Sequence, residues 1–423
     1  MKILVVGGGG REHALVWKLA QSPKADKIYC APGNAGIAAQ AECLPVGAED
    51  IDALVQLAQE KKADLVVVGP EAPLTMGLAE RLAKAGIRVC GPSAGAARIE
   101  GSKAFAKDLM RKYDIPTADY QVFDDYDAAR TYIMKNKNPL VVKANGLAAG
   151  KGVLLCPDTE QALAALNRIM KDREFGSAGD QVVIEELLTG EEASFLVFTD
   201  GKTIVSLPTS QDHKAVYDGD EGPNTGGMGA YSPAPVVTPK LHEEIMDRIM
   251  RPTVEGLAAE GYPYQGVLYA GLMIGEAGPQ VLEFNARFGD PECQPLLMRL
   301  KSDLVDILEA VVEGRLEEIE PEWDHQAALC VVLASGGYPG SYQKGHVING
   351  LEEAAALEDV VVFHAGTAFN NGRIVTSGGR VLGVTALGDD VAQAIDRAYE
   401  ATGKISFSGM HYRKDIGRKA LNR

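Results

Sequence analysis

A chain of 423 residues exceeds one ordinary hydrophobic core and calls for roughly two to four domains. Its 46% hydrophobic and 24% charged residues exclude a disordered or fibrous chain and indicate a folded globular one. The net charge of -16 opposes nonspecific attraction to nucleic acid or an anionic membrane, so an anionic ligand must be gripped by local cations and backbone amides.

The chain opens with MKILVVGGGG, a short apolar run stopping at glycines, which suits a first strand and not a signal sequence. Over residues 1 to about 100, strand-like runs (KILVVG, DKIYCA, DLVVVG, IRVCG) alternate with helix-like ones (REHALVWKLAQS, IDALVQLAQEKK, LTMGLAERLAKAG). That alternation implies an amino-terminal doubly wound α/β domain with a parallel sheet. Ser102 reads as the N-cap of SKAFAKDLMRKY, which Asp114, Ile115 and Pro116 end. From 117 to 190 come DYQVF, the helix YDAARTYIMKN, PLVVKA, a glycine loop, KGVLLC, the helix TEQALAALNRIM and DQVVIEELL, which read as a small lid. Strands ASFLVFTDG and KTIVSLP follow, then a long polar loop, a helix from about 240 and the hairpin GVLYAGLMIGEAGPQVLEFNARFG. AALCVVLAS, RVLGVTALG and the helix DDVAQAIDRAYEATG imply a carboxyl-terminal α+β domain. The expected divisions are 1–101, 102–325 with a lid at about 122–188, and 326–423. No apolar run approaches the about 18 residues needed to span a bilayer. Cys30, Cys43, Cys90, Cys156, Cys293 and Cys330 are scattered without a CxxC pair, which argues against a zinc site or disulfide framework and for a reducing cytoplasm.

Five stretches carry chemistry. In VVGGGGREHAL a strand runs through four glycines into a helix, offering bare amides and a helix terminus to an anion, with Arg11 suited to a monophosphate. A dinucleotide fingerprint is disfavoured, because its third glycine falls on Glu12 or His13 and no acid closes the second strand. In PLVVKANGLAAGKGVLL, Lys143 ends a strand, and a loop with Gly150, Lys151 and Gly152 resembles a phosphate flap. It is not a Walker loop, since three residues separate Gly146 from Gly150 and Gly152 follows the lysine. In QVVIEELLTGEEASFLVF, Glu185, Glu186, Leu187 and Leu188 form a hinge whose backbone could meet a purine edge, with Glu192 toward a ribose; an ordinary charged strand end is the alternative.

VLEFNARFGDPE is the strongest signal: alternation puts Glu283, Asn285 and Arg287 on one face and Leu282, Phe284, Ala286 and Phe288 on the other. Oxygen donors from Glu283 and Asn285 suit magnesium, and Arg287 could neutralise a phosphoryl group or grip a carboxylate. The stretch SQDHKAVYDGDEGPNTGGMGAYSP has no apolar period and reads as a substrate loop, with Asp212, Lys214, Asn224, Thr225, Gly226, Gly227 and Met228.

Lys103, Lys143, the flap, the Glu185 hinge and the Glu283–Asn285 pair together resemble, in order and spacing, the nucleotide site of the ATP-grasp superfamily. GGGGREHAL, GPEAPL, QDHKAVYDGDEGPNTGGMGAYSP and EFNARFGDPE further resemble the glycinamide ribonucleotide synthetase family across essentially the whole chain. The resemblance implies an ATP-grasp body and lid between the two terminal domains. It implies ATP-dependent joining of glycine to 5-phosphoribosylamine through glycyl phosphate, in purine synthesis, with magnesium (manganese being the alternative) on Glu283 and Asn285. Lys103 and Lys143 would touch ATP phosphates, residues 185 to 188 adenine, and Glu192 ribose. Gly9, Arg11 and Glu12 would hold phosphoribosylamine, helped by Asn224 to Met228. A basic residue expected after Lys214 is lacking at Ala215 to Tyr217. Asp212 and Asp290 stand as alternatives for taking the amine proton. A cytoplasmic monomer without nucleic-acid or membrane partners is expected, and another ATP-grasp ligase or a carboxylase is the competing reading.

Overall fold

The computed structural model describes residues 1–148 and 151–422. Five parallel strands build the first layer, in the order Glu42–Cys43, Lys27–Pro32, Lys2–Gly7, Leu65–Val68, Arg88–Cys90. The strand order reverses between Lys2–Gly7 and Leu65–Val68, so a crevice opens at their carboxyl ends, where Gly7 to Gly10 and Gly69 lie. The run LTMGLAERLAKAG does not form one helix. It breaks at Gly77, whose φ of 85° is left-handed, into Glu71–Thr75 and Leu78–Lys84. Ser93 caps a further helix, Ala94–Gly101, that the sequence pattern had not indicated, and Ser102 caps Lys103–Lys112 as expected.

Four antiparallel strands, ordered Tyr120–Phe123, Val182–Glu186, Leu140–Ala144, Val153–Cys156, form a separate small sheet over the stretch read above as a lid. The lid has its own core around Ile133, Val142, Leu166 and Ile184. The central sheet runs Ile204–Ser206, Glu191–Thr199, Gly266–Gly275, Gly278–Asn285, all antiparallel. It shares cores with the first layer: Leu4, Val66 and Leu109 pack with Phe195, Leu268 and Phe284. The last large sheet is ordered Gln211–Asp212, Gly229–Ser232, Ala327–Ala334, Arg380–Gly388, Val360–His364, with helix Val391–Thr402 packed on it.

That last sheet corrects one expectation. The polar stretch after residue 209 is not a plain loop: it forms four short strands, two of which extend the carboxyl-terminal sheet. Tyr231 and Met228, buried there, supply the apolar contacts that the polar composition hid.

Candidate active site

A helix, two strands of the small sheet, the hairpin strand Gly278–Asn285 and the Lys214 segment bring charged side chains together. Lys103 and Lys107 stand four residues apart on helix Lys103–Lys112, hence on one face. In the lid, Val141 lies opposite Glu185 in the antiparallel register, so Lys143 and Glu185 project diagonally on the same face. The buried Glu185 carboxylate pairs with both Lys107 and Lys143. Burial opposes its charge, but Lys143 and Lys107 outweigh burial and hold its carboxyl below the usual range. Lys107 also donates to Thr117 Oγ1 at 2.8 Å, and Lys143 to the Leu282 carbonyl at 3.1 Å. Lys103 donates to the Gly146 carbonyl at 3.1 Å at the mouth of the flap.

Glu185 therefore faces inward to two lysines, and its side chain is not free at the hinge. Glu186 is exposed, with its backbone N–H on the Asp119 carbonyl at 3.0 Å, and Leu187 donates to Pro139 at 3.3 Å. Leu188 is half-buried beyond them. Gly150 lies outside the described residues. Lys151 reaches across to the Pro339 carbonyl at 3.1 Å, and the Gly152 carbonyl accepts from Ala144 at 2.9 Å.

A β-bulge shapes the opposite wall. Gly271 pairs with Glu283 but Leu272 pairs with Val281, leaving Leu282 as the extra residue. Val281 and Phe284 both enter the core, while Leu282, expected on the apolar face, is half-buried and lends its carbonyl to Lys143. Glu283 and Asn285 still face the cleft side together. Lys214 sits 3.2 Å from Glu192 and 3.5 Å from Glu283. Burial would raise the Glu283 pKa, yet Lys214, Lys143, Lys103 and Arg287 bring it down to about 2. The side chain is thus a fixed anion among cations, with about a third of its surface open.

Arg287 departs from the expected strand face. The strand ends at Asn285, and the guanidinium turns to Glu71 at 3.1 Å and Glu100 at 2.8 Å, tying the strand end to the first layer. Arg11 is likewise engaged, at 2.6 Å from Glu12 and 3.1 Å from the Phe288 carbonyl. The glycine turn is less bare than its sequence suggests, because the Glu12 carboxylate accepts from Gly9 N–H at 2.6 Å in a capping interaction. A Cβ added at Gly9 would lie 3.5 Å from Asp290 Oδ2, so this turn and Asp290 face each other. Arg380 pairs with Asp290 at 3.0 Å, and with Arg11 it outweighs burial to keep that carboxyl low.

The Asn224 to Met228 segment is pinned beside Lys214. Thr225 donates through N–H and Oγ1 to the Lys214 carbonyl, both at 2.8 Å, and Met228 N–H donates to the His213 carbonyl at 2.8 Å. Gly227 has φ of 114°, and a Cβ there would meet Pro291 Cδ at 2.5 Å, so glycine is required by backbone and space alike. Behind it, Glu292 is buried and accepts from Tyr269 at 2.7 Å and Ser194 at 3.1 Å. Burial, helped by Glu292, Glu192 and Glu283 against Lys214, pushes Asp212 up to about 8.

Lys107, Glu292, Tyr338 and Arg380 were missed as site residues from sequence. Lys107 carried a signal, its four-residue offset from Lys103, and Glu292 stood inside a noted motif. Arg380 and Tyr338 carried none, being brought in by the carboxyl-terminal sheet. Among the described residues no cluster of three or more His, Cys, Asp or Glu could hold a metal by itself.

Residues 1–100, 101–293 and 328–419 match the N domain, the ATP-grasp (A) domain and the C domain of phosphoribosylglycinamide synthetase. A phosphoribosylamine–glycine ligase of Allochromatium vinosum is 54% identical over 426 aligned positions, covering 100% of this chain and 99% of its own. A crystal structure of a phosphoribosylamine–glycine ligase from Thermotoga maritima superposes with a TM-score of 0.83 at 34% identity, covering 98% of this chain and 100% of that one. The biotin carboxylase domain of the Hydrogenobacter thermophilus 2-oxoglutarate carboxylase shares the fold, with a TM-score of 0.76 at 17% identity, covering 97% and 91%.

Proposed function

Because this chain belongs to the phosphoribosylglycinamide synthetase family, we propose that it joins glycine to 5-phosphoribosylamine at the expense of ATP, giving glycinamide ribonucleotide, ADP and phosphate. The observation that carries the reading is the cleft in which Lys103, Lys143 and Lys214 converge on the ionised Glu283.

A carboxylate is a poor acyl donor. Its oxygen first attacks the γ-phosphorus, the bond to the β-phosphate oxygen breaks, and glycyl phosphate and ADP result. The amine nitrogen of phosphoribosylamine then attacks the glycyl carbon, phosphate leaves and an amide forms. Such chemistry is accelerated by positioning and charge neutralisation. Lys103 and Lys143 supply cations for the phosphates, Lys151 and Gly152 belong to the covering flap, and Glu185 to Leu188 supply the adenine hinge through its backbone. Glu192 accepts from the ribose hydroxyls. Gly9, Arg11, Glu12 and the Asn224 to Met228 segment hold phosphoribosylamine. Asp212 and Asp290 are the two candidate proton acceptors: burial raises the Asp212 carboxyl, whereas Arg380 and Arg11 outweigh burial to keep that of Asp290 low. Arg287 acts at a distance, through the potential it adds at Glu283.

The ionised Glu283 and the Asn285 amide are hard oxygen donors, which fits a divalent cation completed by phosphate oxygens and water, magnesium or manganese. Such a cation, when bound, neutralises phosphate charge. The lid core, separate from the shared cores beneath it, allows closure that keeps water from the acyl phosphate. The same reading divides the chain at 101/102 and 325/326, with the lid at about 122–188, in a cytoplasmic monomer. Among the described residues no helix is long and apolar enough to cross a membrane.

The test is ADP release with ATP, magnesium and phosphoribosylamine, with glycine present, omitted, or replaced by bicarbonate or another amino acid. Release that requires glycine and phosphoribosylamine together supports the reading; release driven by bicarbonate instead would make the chain a carboxylase.

A further inference from the structure

Arg380 opens the strand Arg380–Gly388 of the carboxyl-terminal sheet, 90 residues after Asp290. Its backbone is fixed there, the carbonyl accepting from Gly366 N–H at 2.9 Å. The guanidinium reaches out of this sheet to two separate segments. One arm donates to Asp290 Oδ2 at 3.0 Å; the other donates to the Asp290 carbonyl at 2.7 Å and the Gly226 carbonyl at 2.7 Å, with Gly227 farther off at 3.4 Å. On the same segment the Tyr338 hydroxyl accepts from Gly226 N–H at 3.1 Å. Gly226 is thus held through both its N–H and its carbonyl by side chains of the carboxyl-terminal region. A Cβ there would come 3.0 Å from the guanidinium carbon, so the cation lies close against the segment and a side chain at 226 would push it outward.

The partners matter because one of them, Asp290, faces the glycine turn and the other, Gly226–Gly227, packs beside Asp290 and Pro291. Asp290 faces Gly9 and Gly10, and Gly227 presses on Pro291. Thr225 is anchored on the Lys214 carbonyl, Met228 on the His213 carbonyl, and Gly227 N–H on Thr225 Oγ1 at 2.9 Å, whereas Gly226 between them has its N–H on Tyr338 and its carbonyl on Arg380. Removing the guanidinium therefore loosens one side of a pocket and leaves the Lys103–Lys143–Glu185 cluster untouched. A lysine cannot replace it, since a point cation lacks the planar fork that spans a carboxylate, its own carbonyl and a second carbonyl together.

We propose that Arg380 is a positioning residue for the amine substrate: it locks Asp290 and the Gly226–Gly227 backbone into one wall of the phosphoribosylamine pocket, and does not act on the nucleotide side. This rests on the ligase reading above. Charge-assisted hydrogen bonds of this kind contribute enough that R380A should lower kcat/KM for phosphoribosylamine by about 10- to 100-fold.

The experiment uses the full chain as wild type, R380A, R380K and Y338F, with glycine-dependent ADP release measured against varied phosphoribosylamine and varied ATP. The expected result is a selective loss toward phosphoribosylamine in R380A, KM for ATP within about twofold of wild type, little recovery in R380K, and partial recovery of R380A by added guanidinium ion. Equal losses toward both substrates, full activity of R380A, or full rescue by R380K would overturn the role. Should R380A not fold, Y338F decides: a several-fold rise in KM for phosphoribosylamine alone supports the lock, and unchanged kinetics overturns it. Wild-type protein without any glycine-dependent ADP release would sink the ligase reading and this inference together, whereas an active wild type with an unaffected R380A sinks only the inference.

Discussion

Lys103 and Lys214 in the cleft and the arginines around it bear the same charge and are held in different ways. Lys214 lies between Glu192 and Glu283 with a quarter of its side chain exposed, and Lys103 has a single carbonyl for its ammonium. Arg287 and Arg380 each have two or more protein acceptors on the guanidinium. An ammonium with spare donors can exchange a protein contact for a phosphate oxygen, whereas a planar fork already filled by carboxylates and carbonyls serves as a wall. The cleft thus sets Lys103 and Lys214 beside Lys107 and Lys143, which Glu185 already engages, inside a frame of satisfied arginines.

That contrast can be broken from the ligand side first. Glu283→Ala removes the anion on which the cleft cations converge, and turnover should fall by about 1,000-fold or more with the fold intact. Glycine-dependent ADP release over a magnesium titration checks it; near-normal activity at saturating magnesium would contradict the role of Glu283. The frame is tested by Arg287→Met, which strands Glu71 and Glu100 without their cation. Breaking such a pair should cost about 3 kcal/mol in urea unfolding, so the loss should appear in stability as well as in rate. If stability were unchanged while activity vanished, Arg287 would belong with the loose cations.

Buried His213 sharpens the comparison, being kept neutral where the arginines stay charged. Burial first, then Arg413 and Lys419, outweigh Asp220 and Asp415 and lower its pKa to about 3, and neither ring nitrogen has a hydrogen-bond partner among the described residues. Its folded-state pKa lies below the unfolded value, so its contribution to stability is complete above pH 6.5 and is lost as the pH falls toward 3. His213→Phe should flatten the stability profile between pH 6.5 and 5, a difference of about 2 kcal/mol at pH 5. Identical slopes for the two proteins would show that the imidazole is already hydrated. The smallest effect concerns how Lys103 is presented. Ser102→Ala removes the cap on Phe105 N–H at 3.2 Å and should cost about 1 kcal/mol, read as a shift of the unfolding midpoint.

Local patterns made much of this molecule legible. Alternating apolar runs announced the parallel layer, and the hairpin carrying Glu283 and Asn285 was visible from its turn and its two-residue period. The pattern failed where a neighbour decided the outcome. The bulge at Leu282 exists because Gly271 and Leu272 pair with residues two apart on the facing strand, a register no window along one strand contains. Glu185 looked like part of a hinge because nothing beside it in the sequence shows that Lys107 and Lys143 would close on its carboxylate.

The sequence by itself determined most of the helices and strands outside the polar stretch after residue 209, the glycine-rich turns and the residue kinds that a nucleotide-dependent ligation needs, because helix and strand periods and backbone sterics act over a few residues. The assignment of each charge to a partner was decided only by the tertiary structure. Whether Arg287 meets a ligand or Glu71, and whether Arg380 reaches Asp290 at all, depends on sheets built from segments scores to hundreds of residues apart, and Coulomb energy follows distance in space, not along the chain.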